Sequence, residues 1–145
     1  MTENFTGEFR QPTENGHLII TYLDGKKDGI TRFIDDSGNK LSEINYKNDI
    51  VDGEIKSFYP DGSMLSVMTY RAGIQDGPFS SFHENGMKQV ESTYKSGKLN
   101  GVFIVYDEYG DKVIECIYKD GQKHGKNVVY YPKTQGGQVY EISYY

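Results

Sequence analysis

A tyrosine that returns at a fixed interval constrains this chain more than any other feature. Tyr22, Tyr46, Tyr70, Tyr94 and Tyr118 stand 24 residues apart. A glycine keeps the same step at Gly29, Gly53, Gly77, Gly101 and Gly125, and a second follows nine positions later at Gly38, Gly62, Gly86 and Gly110. A period of this length marks a repeat architecture, in which each unit is too small to bury a core alone and stacks on its neighbours. The chain reads as one repeat domain over residues 1–145: a degenerate opening segment at 1–21, full units at 22–45, 46–69, 70–93 and 94–117, and a closing unit at 118–145. Gly7 and Gly16 keep the nine-residue glycine spacing in the opening segment, whose departures suit a capping unit.

Inside a unit the pattern is strand, tight turn, strand, longer loop. Glu54 to Tyr59 is a short β-type run followed by Pro60-Asp61-Gly62. Proline presets φ there, and glycine accepts the left-handed position that closes a three-residue hairpin. Asp36-Ser37-Gly38, Glu84-Asn85-Gly86 and Glu108-Tyr109-Gly110 fill the same place. Met64 to Tyr70 then returns, and the stretch from Arg71 to Gly77 reads as the longer loop. No segment sustains a helical period. The expected fold is all-β, with tandem 24-residue β-hairpins forming a curved, single-layer antiparallel meander.

Strand side chains alternate between faces, and the even period returns each repeat position to the same face. The closing unit carries an insertion at 131–137 that delays its tyrosine by two residues to Tyr144 and keeps Tyr140, Ile142 and Tyr144 in phase. Pairing across the three-residue turns places two ladders on one face. One ladder is Ile34, Phe58, Phe82, Tyr106 and Tyr130; the other is Tyr46, Tyr70, Tyr94 and Tyr118. The opposite face carries Glu43, Glu91, Glu115 and Glu141 among Leu41, Leu65, Val113 and Val139.

The 13 tyrosines and 7 phenylalanines supply the burial that a modest aliphatic content does not. A net charge of −5 tells against nonspecific binding to nucleic acid or to an anionic membrane, both of which need an excess of Lys and Arg. Cys116 is the only cysteine, so no internal disulfide forms. The N-terminus has neither the basic start nor the apolar run of a secretion signal, and the chain is expected to be cytoplasmic. His17, His83 and His124 fall at different repeat phases and build no metal cluster. Gly121 to Asn127 has three residues between its glycines where a phosphate loop needs four, and Asp35 to Asn39 lacks the ligand spacing of a calcium loop. No catalytic constellation, metal or cofactor is expected.

Tyr-x-x-Gly-x-x-x-Gly, then an aromatic and an Asn-Gly or Asp-Gly, resembles the MORN (membrane occupation and recognition nexus) repeat. It is similar to the bacterial variant of that repeat, a family associated with toxin–antitoxin and immunity proteins. The resemblance covers residues 22–145. It implies a curved sheet of hairpins that serves as a scaffold or binding surface, without catalytic activity of its own. Gly29-Ile30-Thr31, Gly77-Pro78-Phe79 and Gly101-Val102-Phe103 depart from the Gly-x-Gly of the eukaryotic repeat, and Asp49 replaces a loop glycine. These departures tell against the lipid-binding role attached to the eukaryotic proteins. A protein partner is expected, a toxin domain to be neutralised. The alternative is a structural scaffold that pairs with itself as a homodimer. Interfaces anchor on central aromatics with charges at the rim. The expected anchors are Phe58, Tyr70, Phe82, Tyr94 and Tyr106, with Glu91 and Glu115 beside them.

Overall fold

Two kinds of turn alternate along the chain and set its architecture. At Gly38, Gly62, Gly86 and Gly110 φ is 87°, 88°, 83° and 87°. Gly62 N–H donates to Tyr59 O at 2.9 Å, and Tyr59 N–H donates to Ser63 O at 2.9 Å, closing the expected three-residue hairpin. The other kind holds two successive residues at positive φ, as at Asp24-Gly25 (50° and 78°) and Ala72-Gly73 (48° and 80°). This is the two-residue turn whose twist matches that of the strands it joins. The stretch from Arg71 to Gly77 is therefore no longer loop. The turn takes only Ala72 and Gly73, and a strand begins at Ile74.

The computed structural model describes residues 4–130 and 139–145, with Val139 and Tyr140 by backbone alone. Every regular element among these residues is a strand. The chain divides into two compact units, Met1–Ile74 and Gln75–Tyr145. The first holds β1 (Gly7–Thr13), β2 (Gly16–Leu23), β3 (Lys26–Lys27), β4 (Gly29–Asp35), β5 (Lys40–Lys47), β6 (Ile50–Phe58) and β7 (Met64–Arg71). They form an antiparallel meander in the order β1-β2-β4-β5-β6-β7, with β3 extending the pairing on β2. The second holds β8 (Ile74–Phe82, whose first residue closes the preceding unit), β9 (Lys88–Lys95), β10 (Lys98–Leu99), β11 (Gly101–Tyr106), β12 (Lys112–Lys119), β13 (Gln122–Tyr130) and β14 (Val139–Tyr144). Its order is β8-β9-β11-β12-β13-β14, with β10 on β9. The insertion at 131–137 lies outside the described residues.

Register explains the tyrosine–glycine period. Tyr22 faces Gly7, Tyr46 faces Gly29, Tyr70 faces Gly53, Tyr94 faces Gly77 and Tyr118 faces Gly101. A glycine with no side chain leaves room for the opposed ring to lie across the strand, and the ring in turn shields the bare backbone. In the second unit, where a phenylalanine follows two residues after Gly77 and Gly101, the rings meet edge to face. Phe79–Tyr94 have centroids 6.4 Å apart and Phe103–Tyr118 5.9 Å apart.

The expectation that both ring ladders share a face is overturned. In each three-residue hairpin the returning strand carries one extra residue. Phe33 faces Ser42 while Ile34 faces Lys40, so Leu41 is extra, and Leu65, Gln89 and Val113 are its equivalents. A one-residue bulge turns everything beyond it over. In the first unit Tyr70 therefore lies on one face and Phe58 on the other; in the second, Tyr94 lies on one face and Phe82 and Tyr106 on the other, together with Glu91 and Glu115. Most of the fully buried residues lie on the tyrosine face of their own unit, Ile20 (1% exposed) and Thr31 in the first and Cys116 (2%), Ser92 (3%) and Asn127 in the second, while Val128 (5%) is buried on the glutamate face.

Candidate binding surface

The bulge also decides what the glutamates touch. Residues three apart on a regular strand point to opposite faces, but the extra residue between them brings Lys40 and Glu43, Lys88 and Glu91, and Lys112 and Glu115 to the same one. Their N···O separations are 2.9, 3.0 and 2.7 Å. The ring of the next hairpin completes each cluster. Tyr106 donates its hydroxyl to Glu91 Oε2 at 3.3 Å, and Tyr130 donates to Glu115 Oε2 at 3.1 Å. Phe58 has no hydroxyl, and there the ammonium of Lys40 sits over the ring, 4.4 Å from its centroid.

The electrostatics agree with this geometry. The Lys112 ammonium, with the Tyr130 hydroxyl behind it, holds the Glu115 carboxyl below its ordinary range despite partial burial. Lys40 and the more distant Arg32 do the same for Glu43. Burial first, then the neighbouring carboxylate, pushes the Tyr106 and Tyr130 hydroxyls up. Glu43, Glu91 and Glu115 are thus occupied by the protein's own cations and hydroxyls and form no bare acidic stripe, and Glu141, opposite Val129, lies on the other face from Glu115.

Of the seven residues expected to bind a partner, the structure brings Tyr106 onto Glu91 and sets both on the face of Phe82 and Glu115. It separates them from Tyr94, which stacks edge to face on Phe79 on the other side of the sheet. Phe58 and Tyr70 belong to the first unit and again lie on opposite faces. All seven are half-buried.

The most exposed apolar side chains of the second unit's strands were not among them. Val102 and Ile117 face each other across β11 and β12 at 46% and 40% exposure, and Ile142 and Tyr144 of β14 stand at 47% and 74%. All four project from the glutamate face. Beside Ile117 a shallow hollow is lined by Glu115, Lys126, Val128 and Tyr130. A signal for Ile117 was present in the repeat. The residue before each tyrosine is Thr21, Asn45, Thr69, Thr93 and then Ile117. Thr21 donates its hydroxyl to Ile30 O at 2.8 Å and Asn45 its amide to Glu54 O at 2.8 Å. Isoleucine makes no such bond and leaves an apolar surface in its place.

Cys116 is buried, and burial raises its pKa, so it stays a thiol. His83 donates from Nε2 to Tyr106 O at 3.0 Å, tying one turn to the next hairpin. Among the described residues no group of three or more His, Cys, Asp or Glu is placed to hold a metal ion, and no helix is long and apolar enough to cross a membrane.

Comparison with known families agrees with the strand-by-strand reading. The family model described as the MORN repeat variant matches three successive segments, residues 27–48, 51–72 and 75–96. Residues 27–96 are MORN repeats. Each matched segment begins two residues before the glycine that faces a tyrosine and ends at the next two-residue turn, so one MORN repeat is one hairpin with its internal bulge. No curated protein matches the chain. The MORN phase of tyrosine and glycine continues past the matched segments through Gly101, Tyr118 and Gly125.

Proposed function

We propose that this chain is a non-catalytic, cytoplasmic protein-binding module that acts as an antitoxin or immunity protein, and that it seizes its toxin on the glutamate face of the second unit. The observation that carries this reading is the exposed pair Val102 and Ile117, set beside the hollow between Glu115, Lys126 and Tyr130. Apolar side chains left uncovered and rimmed by polar groups are what a protein partner buries. The MORN repeats support a non-catalytic role, because the same positions recur as turn, ring and bulge from one hairpin to the next. The net charge of −5 suits a basic partner at long range, although Glu91 and Glu115 are already paired with Lys88 and Lys112.

The test uses the product of the adjacent gene as the toxin candidate. Ile117→Thr restores the residue type that three other repeats carry, so it removes the apolar surface without disturbing the hairpin. Calorimetry should show binding weakened by about 1 kcal/mol or more, with thermal stability held. Rescue of growth on co-expression should weaken in parallel. A partner that binds Ile117→Thr as tightly as the parent would remove this face from the reading. A neighbour product that never binds, together with a chain that self-associates through Ile117, would favour the scaffold reading instead.

A further inference from the structure

We infer that, although the chain itself is acidic, its partner meets the glutamate face of the second unit with an acidic surface. Carboxylates set round an apolar centre are received there by Lys95, Lys98, Lys119 and Lys126. The inference rests on the reading that this face holds a protein, and it specifies what that protein presents.

Register puts all four ammonium groups on one face. Thr93 and Lys95 alternate with Tyr94 and so share the face of Glu91, and Lys98 stands directly opposite Lys95. Lys119 lies two residues beyond Ile117 on β12, where Ile117 faces Val102. Lys126 lies two residues before Val128, the partner of Glu115, and stands opposite Tyr144. It borders the same hollow as Ile117. All four lysines are exposed, and they flank the exposed apolar side chains of Val102, Ile117 and Tyr144.

These lysines lack the carboxylate that others of their kind possess. Lys88 and Lys112 are held by Glu91 and Glu115 at 3.0 and 2.7 Å, and in the first unit Lys47 is held by Asp28 at 3.0 Å. Among the described residues Lys95, Lys98, Lys119 and Lys126 form no ion pair, and Lys126 acts on Glu115 only from a distance. For Lys119 the repeat gives the reason. At the interval where Lys47 has Asp28, Lys119 has Asn100. Asp52 and Asp76 continue the aspartate column of the earlier hairpins, and Asn100 breaks it. Asp76 accepts the Ser96 N–H at 3.1 Å.

Lys95 and Lys98 point the same way. Like charges directly opposite on neighbouring strands cost stability. The equivalent pairs of other hairpins avoid this: Leu23 faces Lys26, Lys47 faces Ile50 and Lys119 faces Gln122. A carboxylate laid between the two ammonium groups turns one repulsion into two attractions, so the arrangement is favourable only with an anion in place. Two observations make that anion a protein surface rather than a phosphate polymer. The lysines flank aliphatic side chains, which a partner's apolar residues cover and a phosphate chain does not. The chain also carries net negative charge throughout: −4 in residues 1–74 (8 Lys and Arg, 12 Asp and Glu) and −1 in residues 75–145 (8 and 9). That charge repels a long polyanion, whereas an acidic patch on a protein acts chiefly where it touches.

Two probes test this on the full chain: the product of the adjacent gene, and a synthetic peptide of alternating Glu and Leu. With the gene product, Lys95→Glu combined with Lys119→Glu should weaken binding about tenfold or more, and the loss should shrink in high salt. Lys95→Glu sets a carboxylate opposite Lys98, so its denaturation midpoint should hold or rise, which separates lost binding from lost fold. Asn100→Asp restores the aspartate of the earlier hairpins and should weaken binding about threefold by occupying Lys119. Lys123→Glu changes the net charge as much as Lys95→Glu does, but it faces Tyr118 on the tyrosine face and should leave binding as it was. The Glu-Leu peptide should shift the methyl resonances of Val102 and Ile117, and an alternating Lys-Leu peptide should not. A gene product that loses affinity for Ile117→Thr but binds the lysine variants like the parent keeps the face and overturns the acidic surface. One that binds the lysine variants more tightly is basic, and overturns it as well. A gene product that never binds counts against the reading of the face, and the peptides then decide the chemistry. Methyls unmoved by the Glu-Leu peptide, or moved more by inorganic polyphosphate, overturn the inference.

Discussion

Two glycines with different neighbours show how position, rather than residue type, sets a requirement. Gly62 has φ +88°, and a Cβ added there would meet nothing within 4 Å; Gly53 has φ +110°, and its Cβ would lie 3.1 Å from Cβ of Asn45. Gly62→Ala should therefore cost only backbone strain, about 1–2 kcal/mol. Gly53→Ala adds a collision between neighbouring strands and should fall at or above the top of the usual range of about 1–3 kcal/mol for a strained position. Urea midpoints decide it, and equal losses at the two sites would refute the assignment. Glu115 makes a pH prediction. Its folded pKa lies below the ordinary 4.5, so its bond to Lys112 contributes stability that is complete above that value and disappears as pH falls through the folded value. Glu115→Gln should be less stable than the parent at pH 7, and the gap should close on titration below about pH 4.5. A gap that widens in acid would reverse the sign.

At the scale of the hairpin, the bulge is the decisive element, and its consequence can be measured. A double-mutant cycle between Tyr106→Phe and Glu91→Gln should give a coupling of about 0.5–1.5 kcal/mol, the worth of one hydrogen bond. A cycle between Tyr94→Phe and Glu91→Gln should give none, because the sheet lies between them. Coupling in the second cycle alone would restore the single aromatic face. The bulge also marks the limit of what could be read beforehand. The three-residue turns were legible because only glycine serves at Gly38, Gly62, Gly86 and Gly110. The two-residue turns were half hidden, since Ala72 and Ser96 adopt a left-handed φ that their residue types do not advertise. The bulge residues Leu41, Leu65 and Val113 look like ordinary strand residues, so nothing local betrays the slip. Its trace was the Lys–Glu pair three apart in three hairpins, a spacing that makes sense on one face only if a residue is extra. Of the candidate surface, Tyr106 and Glu91 were both named but expected on opposite faces, because the slip was not seen, and Ile117 was missed although it alone broke the polar run before the tyrosines.

For the molecule as a whole, the repeats imply stability that accumulates unit by unit. The two-residue turns reinforce this in register: Gly73 N–H donates to Val51 O and Gly97 N–H to Gln75 O, each at 2.8 Å, while Asp52 and Asp76 accept from Ala72 N–H and Ser96 N–H at 3.2 and 3.1 Å. Deleting residues 46–69 should leave a folded chain whose denaturant m-value falls by about a sixth, in step with the surface removed. Deleting 118–145 should instead uncover the flank of β12 and cause aggregation visible by light scattering. An interior deletion that unfolds the chain outright would point to a closed core.

Because each hairpin contains its own bulge and returns to the face from which it set out, a duplicated unit slots in without turning its neighbours over. Copy number can then drift freely while the two faces keep their identities. The lettering of the surface is set one hairpin at a time: replacing a threonine by Ile117 rewrites a single character and leaves the line intact. A chain of this kind can acquire a new partner by altering one copy while the others go on holding the sheet.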